Sequence, residues 1–253
     1  MSHIISVVNQ KGGVGKTTTT INMGAQLASN GYKVLIVDAD PQGNATSGLG
    51  LYGDSFDATT YDILVGKKTI DHAIQETYIE GLYIIPANPN LAGAEIDLST
   101  MIGREFKLKE ALASCTHDYI LIDCPPALGL LSINALTASE YVLIPVQAEY
   151  YALEGLSQLL NVIQRVREGV NAQLEILGVI ITMYDKRTSL SEQVLSEIQK
   201  HFGEKVFNAT IPRNIRLAEA PSFGKTIFDH DKWSKGARAY KQLTKEVIDR
   251  VGK

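Results

Sequence analysis

Residues 4–18 constrain the fold more tightly than any other stretch of the chain. Ile4–Val8 is a short, β-branched, apolar run of the kind that forms a buried strand. Gln10-Lys11-Gly12-Gly13-Val14-Gly15 follows as a glycine-rich loop, and Lys16-Thr17-Thr18 opens a helix. A strand that passes through such a loop directly into a helix is the setting in which backbone amides cradle phosphate. Gly12, Gly13 and Gly15 let successive N–H groups turn inward with no Cβ in the way. The helix start at Lys16–Thr18 adds the positive end of its dipole. At this spacing Lys16 would bridge the β- and γ-phosphates of a nucleotide, and the Thr17 hydroxyl would ligate Mg²⁺. The loop departs from the ordinary GxxxxGK[ST] pattern. Gln10 stands where the first glycine belongs, and a second lysine, Lys11, sits at the loop entrance.

The rest of the chain repeats the alternation of strand and helix. Val34–Val37, Leu82–Ile85, Tyr119–Ile122, Tyr141–Val146 and Ile176–Met183 are apolar on both faces, as buried parallel strands are. Lys16–Asn30, Phe106–Ser114, Ala152–Glu168 and Leu190–His201 read as helices between them. In the third of these, Leu153, Leu156, Leu159, Leu160, Ile163 and Val166 form a stripe at i, i+3 and i+4 spacing. This alternation predicts an α/β fold, a doubly wound, mostly parallel sheet flanked by helices and of P-loop NTPase type. No linker, low-complexity tract or internal repeat interrupts the sequence, so residues 1–253 are expected to form one domain. Arg238–Val251 predicts a last helix with Leu243, Val247 and Val251 on one face. Its stripe lacks Phe and Trp, and Glu246 and Asp249 dilute its basic side, which favours packing on the body over lying on a membrane.

Composition excludes other classes. Hydrophobic residues at 45% and charged residues at 21% are ordinary for a soluble domain and exclude a disordered or collagen-like chain. No apolar run approaches the roughly 18 residues of a membrane span. Nothing before Ile4 reads as a signal peptide. Cys115 and Cys124 are the only cysteines, which points to a reducing cytoplasm.

Two further strands end in carboxylates. Val37-Asp38-Ala39-Asp40-Pro41 places Asp38 and Asp40 beyond a strand's C-terminal edge, where doubly wound sheets bind ligands. One of the two would orient a water for in-line attack on a γ-phosphate or hold Mg²⁺ through water. Ile120-Leu121-Ile122-Asp123 is an apolar strand ending in aspartate, the Walker B pattern, whose carboxylate polarises the metal's hydration shell. Pro125-Pro126 makes a stiff exit and begins a switch loop that runs to Gly129. Cys124 has no cationic neighbour in sequence and reads as a small buried residue.

The net charge is −4, yet residues 212–241 carry seven basic residues against three acidic ones. A basic C-terminal third on an acidic protein points to an anionic partner. Arg216, Lys225, Lys232, Lys235 and Arg238 are the candidates there. No recognition helix or interleaving of aromatic with basic residues is apparent, so a nucleic-acid partner would be met at its phosphates rather than its bases.

Lys11-Gly12-Gly13-Val14-Gly15-Lys16-Thr17 resembles the deviant Walker A motif of the ParA/MinD ATPase superfamily. The run from Val37 to Gly50 is similar to the Soj branch of the chromosomal ParA family. So are Ala92-Gly93-Ala94-Glu95, the run from Pro145 to Gly155, and Ile211-Pro212-Arg213-Asn214. The resemblance covers nearly the whole chain. It implies an ATPase that uses ATP and Mg²⁺ and closes into an ATP-dependent homodimer, with Lys11 reaching the partner's nucleotide. It implies double-stranded DNA bound without sequence preference, and hydrolysis stimulated by a ParB/Spo0J-type protein. Members of the family help segregate chromosome origins on the nucleoid, and some are linked to sporulation and, through a replication initiator, to the start of replication. By the same resemblance Asp40 positions the attacking water, with Thr17 and Asp123 beside it at the metal. Gly12, Gly13, Val14, Gly15, Lys16, Thr17 and Thr18 hold the phosphates, Pro212 and Asn214 border the adenine, and Arg187 contacts DNA. No helix-turn-helix precedes the ATPase region, which argues against operator-specific repression. A membrane-bound MinD-like ATPase would need a more hydrophobic terminal helix. An iron–sulfur reductase would need its cysteines in glycine-rich loops. A mere scaffold would have no use for Lys16, Thr17, Asp40 and Asp123 together.

Overall fold

The computed structural model describes residues 2–52, 56–149 and 152–252. Tyr150 and Tyr151, and the side chains of residues 152–154 with Leu153 among them, lie outside the described residues. The strands are β1 (His3–Val7), β2 (Val34–Asp38), β3 (Gln75–Glu76), β4 (Leu82–Ile85), β5 (Tyr119–Asp123), β6 (Tyr141–Gln147), β7 (Glu175–Tyr184) and β8 (Val206–Pro212). The first helices are α1 (Lys16–Ser29), α2 (Asn44–Gly48), α3 (Thr60–Leu64), α4 (Ala94–Ser99) and α5 (Lys107–Leu112). After β5 come α6 (Leu130–Ala138), α7 (Ala152–Gly169), α8 (Ser189–Phe202), α9 (Ile215–Glu219), α10 (Ile227–Asp231) and α11 (Lys235–Val251).

One sheet runs in the order β3-β4-β2-β5-β1-β6-β7-β8. Only β3 is antiparallel to its neighbour. The doubly wound fold expected from the alternation is therefore present. The chain leaves β1 toward β2 on one side and later crosses from β5 to β6 on the other, so β1 lies at the topological switch point. Ligands bind there, outside the carboxyl ends of the strands.

Alternation along each strand sorts its side chains to two buried faces. Ile5, Val7, Ile36, Leu121, Leu143 and Ile180 pack with α1 and α11. Leu35, Val37, Ile120, Ile122, Val142 and Val179 pack under α3 to α8. The Leu243, Val247 and Val251 face of α11 is fully inside the first of these cores, joined by Ala237 and Tyr240. That face has no apolar stripe left for a membrane surface. Among the described residues no helix is long and apolar enough to cross a membrane.

Two strands and several helices differ from expectation. β8 reads VFNATIP, with Asn208 exposed and Thr210 half-buried, because it is an edge strand with one wetter face. β3 is a two-residue polar edge. α6 is buried on nearly every side, through Leu131, Ser132, Asn134, Ala135, Leu136 and Thr137, so it shows no amphipathic period to read.

Arg250 closes the far end of α11. Its guanidinium donates to the carbonyls of Leu177, Glu204, Lys205 and Val206. It also lies 3.8 Å from the ring centre of Phe207. Gly178 makes this contact possible: a Cβ there would meet Arg250, the Lys205 carbonyl and Phe207 at 2.5 Å.

Candidate active site

The loop after β1 is held from both sides. Asn9 donates its amide to the Pro145 carbonyl at 2.7 Å and accepts from the Lys11 N–H at 2.9 Å. On the other side the Thr182 hydroxyl, from β7, donates to the Val14 carbonyl at 2.8 Å. Gly13 and Gly15 have φ of +74° and +89°, a left-handed backbone that glycine adopts without strain. Gly15 caps α1 with no side-chain acceptor, so the amides of Lys16, Thr17 and Thr18 are left for an anion. A Cβ on Gly12 would meet nothing within 4 Å.

The loop's two lysines point different ways. Lys16 is buried, and its Nζ donates to the Lys11 carbonyl at 3.2 Å. Burial lowers its pKa, while the charges of Asp123 and Asp40 oppose that shift. Lys11 turns outward and pairs with Glu149, just beyond β6, at 2.6 Å.

The three carboxylates take different roles. Asp38 is fully buried and accepts from the Thr46 amide at 2.9 Å, the Thr46 hydroxyl at 2.7 Å and the Asp40 amide at 3.2 Å. Thr46 Oγ1 in turn accepts from the Ala87 amide at 3.0 Å. Asp38 thus braces the turn. Burial raises its pKa against the Thr46 bonds that favour the anion. Asp40 accepts from the Gln42 amide at 3.0 Å through one oxygen and keeps a small exposed surface. Asp123 is fully buried; one oxygen accepts from the Thr20 hydroxyl at 3.3 Å and the other has no hydrogen-bond partner. Burial and then Asp38 raise the Asp123 pKa, and the Thr17 hydroxyl and Lys16 pull it back.

An unpartnered buried carboxylate oxygen next to Thr17 and Lys16 suits a cation carrying its own water and phosphate ligands. Among the described residues no three of His, Cys, Asp and Glu gather to hold a metal by themselves. An all-oxygen set of one hydroxyl and one or two carboxylates, completed by phosphates and water, fits Mg²⁺. Beyond Asp123, the segment to Gly129 packs on α4. A Cβ on Gly129 would collide with the Glu95 carboxylate at 2.0 Å.

The other expected residues are spread more widely. Pro212 ends β8 half-buried, and Asn214 caps α9 by accepting from the Arg216 amide at 2.8 Å. Arg187 is exposed, but its guanidinium already donates twice to Asp185, at 2.9 and 2.7 Å. That pairing holds the Asp185 carboxyl down at about 2. Arg216 bridges Glu219 at 3.0 Å and Asp231 at 3.8 Å. Lys225, Lys235 and Arg238 are exposed. Lys232 lies 5.4 Å from the ring centre of the exposed Trp233, and Lys241 lies 5.9 Å from that of Phe228. Lys232 and Trp233 are neighbours in sequence, whereas Lys241 and Phe228 meet across the fold. Lys232 and Lys241 also line a cleft of about 680 Å³ beside the last turn of α1, with Lys33, Asp229 and Phe228. That cleft is about 20 Å along α1 from Lys16, at 1.5 Å rise per residue.

Asn9, Thr182, Thr20 and Glu149 shape the site but carry no local signal. Asn9, Thr182, Thr20 and Glu149 bond partners 136, 168, 103 and 138 positions away, respectively. The two cysteines lie apart from this chemistry as thiols. Burial raises Cys115 to about 11 and raises Cys124 further.

Comparison with known proteins places this geometry in a family. The AAA domain family profile matches residues 2–176. The sporulation initiation inhibitor protein Soj of Bacillus subtilis is 56% identical over 249 residues, covering 98% of each chain. The chromosome partitioning protein ParA of Caulobacter vibrioides is 49% identical, over 98% of this chain and 94% of its own. Among solved structures, one described as the cobyrinic acid a,c-diamide synthase of Mycobacterium smegmatis with bound ADP and magnesium superposes with a TM-score of 0.88. It is 38% identical, over 100% of this chain and 96% of that one. Whole-length identity to partitioning proteins, on a fold that carries the phosphate loop at its switch point, makes this chain a member of the Soj/ParA family of chromosome-partitioning ATPases.

Proposed function

We propose that this chain binds ATP with Mg²⁺, closes into a homodimer around two nucleotides, and in that state binds double-stranded DNA without sequence preference. A ParB/Spo0J-type partner stimulates hydrolysis and releases it. The cycle runs on the nucleoid in the cytoplasm and serves chromosome segregation. The identity to Soj supports a further link to sporulation, and contact with a replication initiator belongs to the same reading. The observation that carries the enzymatic part is the buried Asp123 oxygen left without a partner beside Lys16 and Thr17.

Each residue has a role that follows from its surroundings. The amides from Gly12 to Thr18 surround the β-phosphate, and Lys16 neutralises charge between β and γ. Thr17 and Asp123, with Asp40 through water, would hold Mg²⁺, which draws charge from the phosphate oxygens when bound. Asp40, at the rim of the site, orients the attacking water. Asp38 is less suited to that task because its oxygens already brace the turn. Asn214 keeps its amide N–H₂ group for the adenine, with Pro212 beside it, since its oxygen caps α9. Lys11 offsets the partner's phosphates in the closed dimer. Arg187, Arg216, Lys225, Lys232, Lys235 and Arg238 supply the cationic surface, and two protomers double the number of phosphate contacts. Linking two weak sites raises avidity by about 10²–10⁴, so dimer formation by itself switches DNA affinity.

The test separates binding from chemistry. Asp40→Ala is expected to bind ATP and dimerise while turnover falls about 10²–10⁴-fold. Lys16→Ala is expected to lose productive ATP binding. Phosphate release and fluorescent-nucleotide titration read the two effects. Wild-type turnover in Asp40→Ala would assign the water to another group. DNA binding with ATP, ADP and no nucleotide tests the switch, and equal affinity in all three conditions would remove it.

A further inference from the structure

Lys11 and Glu149 form an ion pair between two braced segments. The Lys11 Nζ lies 2.6 Å from Glu149 Oε2. The other Glu149 oxygen accepts from the Gln147 amide. The Glu149 N–H donates to the Gln147 carbonyl at 2.8 Å, which fixes a tight turn at the end of β6. On the lysine side the Lys11 amide is held by Asn9, and Asn9 is itself bonded to Pro145 within β6. Both ends of the pair therefore belong to one assembly of β1 exit and β6 exit. The backbone at both ends is thereby fixed, and Glu149 is held by Gln147 as well, so the ordering cost of the pair falls chiefly on the Lys11 side chain. Among the described residues Glu149 is the one acidic partner of Lys11.

We propose that Glu149 is a positioning residue for Lys11, its carboxylate standing in, within a single protomer, for the anion that Lys11 meets in the nucleotide-bound dimer. This rests on the dimer reading given above. On this proposal, closing the dimer exchanges the internal anion of Lys11 for an external one, the partner's phosphate. The pair keeps the lysine ordered but unavailable until a stronger anion is presented. A diphosphate product carries less charge than a triphosphate and displaces Glu149 less well, which adds discrimination between the two nucleotides. A half-exposed ion pair weights an equilibrium by about 1.4- to 5-fold. Each of two protomers must release one, so the pair weakens the dimer by about 2- to 30-fold.

Glu149→Gln keeps the shape and the acceptor for Gln147 but removes the charge. With Mg²⁺ and a slowly hydrolysed ATP analogue, light scattering over a protein dilution series should show the dimer dissociation constant of Glu149→Gln lowered about 2- to 30-fold. Glu149 acts through Lys11, so Lys11→Ala and the Lys11→Ala/Glu149→Gln double variant should share one dissociation constant. On nucleotide-free protein, pulse acetylation read by mass spectrometry should label Lys11 faster in Glu149→Gln, with Lys225 as an unchanged internal reference. An unaltered dissociation constant in a variant that dimerises overturns the proposal. So does a gain that persists without Lys11, since a general charge effect would then explain it. If no variant dimerises, wild type included, the dimer reading fails and the release role with it. Lys11 labelling then reports separately whether the pair forms.

Discussion

Asp38 and Asp40 stand two positions apart at the end of one strand, and the sequence alone leaves them interchangeable. Their difference comes from Thr46, which donates to Asp38 through its amide and its hydroxyl and is itself held by the Ala87 amide. Asp123 was legible because an apolar strand ending in aspartate is a local pattern, but its unpartnered oxygen is a property of the packed site. Lys16 and the loop glycines were legible for the same local reason. Cys115 and Cys124 show how burial settles reactivity. A thiol raised to about 11 is protonated at pH 8 and gains thiolate only as pH climbs toward that value. Roughly 0.1% of such a thiol is ionised at pH 8, against roughly a quarter of an ordinary one. Native protein should therefore release little colour with a disulfide reagent at pH 8 over minutes and two equivalents once unfolded. Prompt reaction of either cysteine in the native state would contradict the assigned burial.

At the scale of elements, strands apolar on both faces announced themselves, and six expected strands are present within one residue at each end. What stayed hidden were elements whose burial is uniform or one-sided. α6 is surrounded and has no stripe, and β8 is an edge with alternating wet positions. The docking of α11 was legible as an apolar stripe, but its fastening by Arg250 was not, because four carbonyls from two separate segments meet the guanidinium only in the fold. Arg250→Ala should cost about 2–3 kcal/mol, as charged hydrogen bonds to carbonyls are lost. Urea unfolding would measure it, and ATP affinity at low denaturant should stay near wild type because the phosphate loop lies at the opposite end of the sheet. A loss of nucleotide binding in the folded variant would mean that α11 governs the loop as well.

For the whole molecule, the open space around Gly12 separates folding from assembly. Gly12→Val should fold with an unchanged Tm, bind ATP and remain monomeric by light scattering, because its bulk meets nothing within its own protomer. A normal dimer would place the interface elsewhere. On the proposed DNA reading, the Asp185–Arg187 pair leaves that arginine half-satisfied before DNA arrives. Asp185→Asn should tighten binding on unrelated duplexes and steepen the slope of log affinity against log salt by up to about 0.9 for each phosphate gained. Arg187→Ala should flatten it, and two insensitive variants would take this loop off the DNA surface. The contact between Thr19 in α1 and Tyr240 in α11, 221 positions apart, bears on how the molecule is made. At 5–20 residues per second, roughly 10–45 s separate the synthesis of the two sides of that contact. Throughout that interval the nucleotide-binding helix waits on the ribosome with its apolar flank uncovered. The first functional motif to be translated is thus among the last to be sealed within its own fold.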